Sequence, residues 1–320
     1  MNPFRALLSC RLLMPSSLLI ASLLIISFPC LGTPPPDTSR FFLSGDYKIS
    51  IRNEHSGREA NVNLIDADGR LNKNALIEID AVFGLPGSRE GEHISLRLLF
   101  LLDYFSDKVA PGKTIHLISG YRSPAYNQKL KDSGGNVART SAHMDGMAID
   151  FYLEGIGGKA LWEAIRRENC CGVGHYGGTS VHLDSGRPRF WEAATSKVGT
   201  RESEFNRKLY LSTEYDRYRQ GEKIRLFLTS LSDFPFGINR KATLFDNIEG
   251  KDNTALMIIQ TRDGEECIIV KDRAAARSIY ATLPSGIEPG RYRVRFDFCR
   301  RPFEQMPATT LSNEIEIIKE

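Results

Sequence analysis

Residues 141–150 read Ser-Ala-His-Met-Asp-Gly-Met-Ala-Ile-Asp, and residues 181–184 read Val-His-Leu-Asp. His143 and Asp150 lie seven positions apart with Gly146 between them. Glycine accepts backbone conformations closed to other residues, so a loop histidine and a strand carboxylate can be turned toward one point. Asp150 stands in the apolar string Ala148-Ile149-Asp150-Phe151, where a carboxylate needs a compensating partner. A metal ion is a good one. Zinc accepts imidazole nitrogen and carboxylate oxygen, and a catalytic zinc keeps three protein ligands and an open fourth position. His143, Asp150 and His182 are the candidate ligands. The His-Asp spacing alone is equally compatible with core packing; the flanking Ser141, Gly146 and Ala148 and the downstream His-x-Asp strengthen the metal reading. His55, His93 and His116 lack such a setting and are read as core or surface histidines.

Outward from this stretch the chain alternates short strands and helices. Residues 93–107 keep Ile94, Leu98, Leu101 or Leu102, Tyr104 and Phe105 on one face at helical spacing. Residues 114–119 are a buried-strand candidate. Ser123 suits a helix cap and Pro124 the first turn of a helix running to about Lys131. Residues 147–153 read as a strand, Gly158 to Glu168 as a helix, and 171–184 as a strand pair turning at Gly177-Gly178. Residues 41–75 look like short strands and turns, followed by a short helix over 73–84. After about residue 204 the pattern changes to short alternating runs, among them Ile224, Leu226, Leu228 and Tyr292, Val294, Phe296, with turns at Asp263-Gly264 and Pro289-Gly290. Seven or so such runs suggest a β-sandwich.

The first 32 residues read as an export signal: Arg5 and Arg11, an apolar run from Leu18 to Phe28, then small residues. The run is short for a membrane span, which needs about 20 residues. A Pro-rich linker follows at 33–40. The chain of 320 residues is thus divided into a signal (1–32), this linker, a mixed α+β domain (41–200) and a β domain (205–320). Net charge is +3 and falls to +1 without Arg5 and Arg11, which gives no electrostatic case for nucleic acid or an anionic membrane. Beyond the signal, Cys170, Cys171, Cys267 and Cys299 remain. Cys267 and Cys299 are candidates to pair in an oxidising compartment, while adjacent Cys170 and Cys171 are read as buried free thiols.

The strings SGYRSPAYN (119–127), SAHMDGMAID (141–150), CCGVGHY (170–176) and VHLDSGRPRFW (181–191) together resemble the YcbK-like (DUF882) group of the M15 zinc peptidases, near the D,D-carboxypeptidases and the hedgehog signalling-domain fold. RFFLSGD (40–46) and ISLRLLFLLDY (94–104) extend the likeness, which covers about residues 40–195. The resemblance implies an M15/hedgehog-like α+β domain, followed here by a β-sandwich that is only loosely immunoglobulin-like. It implies Zn2+ held by His143, Asp150 and His182, with Arg122 as the substrate-binding arginine and Tyr121 and Tyr176 beside it. Asp184 is the candidate general base or the orienter of a ligand imidazole. His175 stands where the group has tyrosine and is a candidate extra acid or base, or a rim residue. The implied activity is hydrolysis of peptidoglycan stem peptides or cross-bridges, in the periplasm or elsewhere in the cell envelope. The competing expectation is a zinc-containing wall-binding or scaffold protein without turnover.

Overall fold

The computed structural model describes residues 39–87, 93–134, 137–196, 204–246, 254–260 and 264–319. The segment read as an export signal (1–32) and most of the one read as a linker (33–40) lie outside the described residues. Among the described residues no helix is long and apolar enough to cross a membrane.

The N-terminal half is built on one seven-stranded mixed sheet. Its elements are β1 (Lys48–Asn53), β2 (Glu59–Asn63), α1 (Lys73–Phe83), α2 (Leu96–Val109), β3 (Ile115–Ser119), α3 (Pro124–Asp132), β4 (Ala148–Leu153), α4 (Gly158–Glu168), β5 (Gly172–His175), β6 (Val181–Asp184) and β7 (Arg189–Glu192). The strand order is β2-β1-β3-β4-β6-β5-β7. Asn72 caps α1, Ser95 caps α2 and Ser123 caps α3, each side-chain oxygen accepting from backbone N–H groups of the first turn. Pro124 opens α3, where its missing N–H costs nothing.

The sequence predicts α2 as a helix with one apolar face. The structure instead buries it on nearly every side, with Leu98, Leu99, Phe100, Leu101, Leu102 and Phe105 all in the core. The reason is a second apolar surface: Phe41 stacks on Phe100 with ring centroids 3.9 Å apart, and Tyr215 from the C-terminal half packs on Phe41. Arg97, on the same helix, is buried and donates through Nε to Asp216 at 2.7 Å.

Asp103 is the other charged side chain buried on α2. Its Oδ2 accepts from Gly45 N at 2.6 Å, and the Tyr47 N–H also faces the carboxyl. Burial, reinforced by Asp107 and Asp46, pushes its carboxyl up to about 7. A carboxyl raised above its unfolded value keeps a proton that the unfolded chain releases. Its neutral form is therefore tolerated below about pH 4, and stability falls as pH rises from about 4 to about 7. Asp103→Asn keeps the oxygen facing Gly45 and removes the ionisation. The variant is expected to melt higher than the parent at pH 8, by an amount worth about 1–3 kcal/mol, and to match it near pH 4. Melting curves across pH 4–8 check this; a parallel drop for parent and variant would contradict it.

The C-terminal half is β-rich: β8 (Tyr210–Thr213), β9 (Arg217–Arg219), β10 (Lys223–Thr229), β11 (Phe236–Asn239), β12 (Lys241–Asp246), β13 (Thr254–Ile258), β14 (Cys267–Val270), the short α5 (Arg273–Ala276), β15 (Ile279–Thr282), β16 (Gly290–Asp297) and β17 (Thr309–Ile318). These form sheets ordered β15-β10-β8, β11-β14 and β13-β12-β16-β17-β9. The alternation read in the sequence is the burial pattern of β10 and β16: Ile224, Leu226, Leu228, Tyr292, Val294 and Phe296 all enter one apolar core. Cys267 and Cys299 pair across that half. The free-thiol expectation for Cys170 and Cys171 is corrected, because the two neighbouring sulfurs are joined as a disulfide. Asn169, in the left-handed conformation, ends α4 immediately before them.

Candidate metal centre

Strand register assembles the site. In the antiparallel pairing of β4 with β6, Asp150 stands opposite His182 and Ala148 opposite Asp184. Ser119 of β3 is the other neighbour of Asp150. On the far side of β6, Gly174 faces His182 and Gly172 faces Asp184. Residues directly opposite one another share a face with Cβ atoms about 5 Å apart. One row across the sheet is therefore Ser119, Asp150, His182, Gly174, and the next is Ala148, Asp184, Gly172. Glycine is required in β5: a Cβ on Gly172 would collide with the Asp184 carboxylate, and one on Gly174 with the Trp191 indole.

His143 reaches the same point from a 3-10 turn, Ala142–Asp145, capped by Ser141. Gly146 follows it at φ +64° and turns the chain into β4. His143, Asp150 and His182 form a set whose ligand atoms lie within 4.8 Å of one another.

Hydrogen bonding fixes which atoms face that set. His143 Nδ1 lies 2.8 Å from the carbonyl oxygen of Gly120, which can only accept, so Nδ1 carries the hydrogen and Nε2 is bare. His182 Nε2 lies 3.0 Å from Asp184 Oδ2, a carboxylate that likewise accepts, so in the neutral ring Nδ1 is bare. The two bare nitrogens are 3.3 Å apart, and Asp150 Oδ1 lies 2.9 Å from His182 Nδ1 and 3.3 Å from His143 Nε2. Three lone pairs pointed at each other in a buried pocket repel unless a cation shares them. Two imidazole nitrogens and one carboxylate oxygen are a donor set zinc accepts, with each imidazole held from behind by an acceptor.

The three groups also shift one another electrostatically. Burial by itself would raise Asp150, but His143 and His182 hold it well below the usual carboxylate range. Burial lowers His143. Burial also works against protonated His182, yet its hydrogen bonds to Asp150 and Asp184 outweigh this and raise it. Asp184 is buried too, and Arg189 and His182 hold it far below the ordinary value.

Arg122 donates through Nη2 to Asp150 Oδ2 at 2.7 Å and through Nε to Ser119 Oγ at 2.9 Å. It thus grips the carboxylate oxygen that points away from the histidines. Both oxygens of Asp184 are occupied: Oδ2 by His182 and by Arg189 Nη2 at 2.6 Å, Oδ1 by Gly186 N at 3.0 Å. Tyr176 lines the cleft, and its hydroxyl accepts from Trp191 Nε1 at 2.8 Å.

Two of the predicted site residues are not brought in. His175 is paired with Val181, so it lies on the face of the sheet opposite His182, with its Nε2 3.5 Å from the Gly178 carbonyl oxygen. Tyr121 packs against the hydrophobic core and is absent from the cleft lining. Sequence reading missed Arg189, the partner of Asp184, and Trp191, whose ring lies 5.2 Å from that of His182. The string RPRFW at 187–191 contained both, but nothing local said that β7 would lie beside β5.

The cleft over this set has a volume of about 410 Å³ and is lined from both halves of the chain, by Trp191 and Arg189 on one side and by Lys208, Tyr210, Thr229 and Ser230 on the other.

Residues 44–191 match the family model described as peptidoglycan L,D-endopeptidase MepK, of the M15 peptidases. The peptidoglycan L,D-endopeptidase MepK of Escherichia coli strain K12 is 28% identical over 166 residues, which is 52% of this chain and 85% of that protein. A shorter stretch of 82 residues, 24% of this chain, is 37% identical to 42% of a Haemophilus influenzae protein named probable peptidoglycan L,D-endopeptidase MepK. No solved structure matches the chain significantly.

Proposed function

Because residues 44–191 form a YcbK-like domain of the M15 peptidase family, we propose that the protein is an exported, zinc-dependent peptidoglycan endopeptidase. The observation that carries the reading is the convergence of bare His143 Nε2, bare His182 Nδ1 and Asp150 Oδ1 at the floor of an open cleft. Zinc at such a set supplies Lewis acidity, acidifying water and polarising an amide carbonyl.

The chain's own residues have distinct parts. His143, Asp150 and His182 hold the metal. Gly120 O and Asp184 orient the two imidazoles from behind. Of the two roles expected for Asp184, the orienting one fits its geometry, since the side chain is buried, accepts from His182 Nε2 and has both oxygens engaged by protein donors. Arg122 fixes Asp150, and its remaining N–H groups suit a substrate carbonyl or carboxylate. Tyr176 and Trp191 offer an aromatic wall for a peptide. We read the chain as a catalytic domain over 41–200 followed by an immunoglobulin-like domain over 205–320, with residues 1–32 as the export signal.

The relatives' names point to the L,D bond of a cross-bridge. Incubation with purified muropeptide dimers, one joined by an L,D bond and one by a D,D bond, tests this by mass spectrometry. Only the L,D dimer is expected to fall to monomers; cutting of the D,D dimer alone would overturn the bond assignment.

A further inference from the structure

The 3-10 turn that carries His143 is held from the C-terminal half of the chain. Asp145, at the end of that turn, has a side chain only 3% exposed, and both of its oxygens are engaged. Arg273 Nη1, on α5, reaches Oδ1 at 2.7 Å. The N–H of Ser230, just after β10, donates to Oδ2 at 2.9 Å. Arg273 is itself fixed, donating through Nη2 to the Leu231 carbonyl at 2.6 Å. The other loop of the metal set is gripped in a parallel way. Arg97 donates through Nη1 to the Ser185 carbonyl, one residue past Asp184, and through Nε to Asp216, each at 2.7 Å. Asp216 belongs to the C-terminal half, immediately before β9.

These contacts are too specific for a tethered spacer. Pairing of both oxygens offsets the cost of burying a carboxylate, so Arg273 and Ser230 hold Asp145 in place. His143 lies two residues away on a turn of four, with Met144 N bonded to Ser141 O and Met147 N to Ala142 O. Displacing Asp145 would therefore displace the imidazole. The E. coli relative matches only 52% of this chain, and the family match ends at residue 191, so the family match does not reach the Ser230–Arg273 half of this contact.

We propose that the C-terminal β-rich half is a built part of the metal centre, with Arg273 and the Ser230 N–H acting through Asp145 as positioning groups for His143. The inference rests on reading His143 as a metal ligand.

The test compares the parent with Arg273→Gln and Arg273→Lys in the full chain. Hydrogen exchange is followed at residues 142–147 and in β16 and β17, and zinc affinity is measured by competition with a chelator. Arg273→Gln is expected to speed exchange at 142–147 while β16 and β17 stay protected, and to weaken zinc binding about tenfold, the range of outer-shell changes. Arg273→Lys, which returns a cation to Asp145, is expected to recover part of the affinity. Unchanged exchange at the turn would overturn the proposal. So would a loosened turn with zinc affinity within about twofold of the parent, since outer-shell changes cost more than that. An equal loss of protection throughout the β-rich half would also overturn it, by making Arg273 a general fold element. If Arg273→Gln does not fold, Asp145→Asn, nearly isosteric, carries the same comparison. A parent that binds no zinc would refute the metal reading itself, and exchange at the turn would then decide the clamp alone.

Discussion

Asp150→Ala is expected to give a folded protein that retains no zinc and cuts peptidoglycan at least about 10³-fold more slowly, since Lewis-acid assistance is worth several kcal/mol. Asp150 is the only carboxylate in the proposed ligand set and the member that also holds Arg122. Its Oδ1 meets both histidines and its Oδ2 takes the Arg122 guanidinium. Without it two neutral imidazoles remain, beside an uncompensated arginine, and that pocket repels a divalent cation. The fold should survive, because the Asp150 side chain is a quarter exposed and the core residues on either side of it, Ile149 and Phe151, are untouched. Metal analysis of the purified variant together with digestion of peptidoglycan checks both parts. A variant that keeps one zinc per chain would show that the ligands lie elsewhere.

Asp184→Asn is expected to weaken zinc binding and turnover by about 10–100-fold, the usual cost of losing an orienting partner behind a metal-bound imidazole. In the native site the ionised Asp184 accepts from three directions: His182 Nε2, Arg189 Nη2 and Gly186 N. An asparagine has one oxygen for these three donors, and its NH₂ must face one of them. Either His182 loses its acceptor or the buried amide N–H of the substituted side chain opposes the Arg189 guanidinium. The affinity loss should therefore exceed any loss of melting temperature. Zinc titration of parent and variant decides it; equal affinities would mean that the His182 tautomer does not depend on Asp184.

Much of the sheet was legible because its signals are local. Ser123-Pro124 marks the start of α3, and the predicted helix over Gly158 to Glu168 is α4 residue for residue. The convergence of His143, Asp150 and His182 was also legible, since a glycine turn and period-two alternation suffice to bring them to one face. The same alternation applied to 172–175 would have turned His175 away from His182, as the register does. The burial of α2 on all sides was not legible. It depends on Phe41, Tyr215 and Asp216, and the Arg97–Asp216 bond spans 119 residues of sequence. The Asp145–Arg273 pair spans 128, and no periodicity or motif links the two ends. Asp145 inside SAHMDGMAID reads locally as one more polar residue of a loop; only the position of the C-terminal half makes it a buried, doubly held carboxylate.

The measurement that bears most directly on the whole account is digestion of purified peptidoglycan by the protein lacking residues 1–32, with chelator present, absent, and followed by added zinc. New peptide ends that vanish with chelator and return with zinc are the predicted result. Products that form equally in chelator, or no products from several wall types while one zinc stays bound per chain, would contradict it.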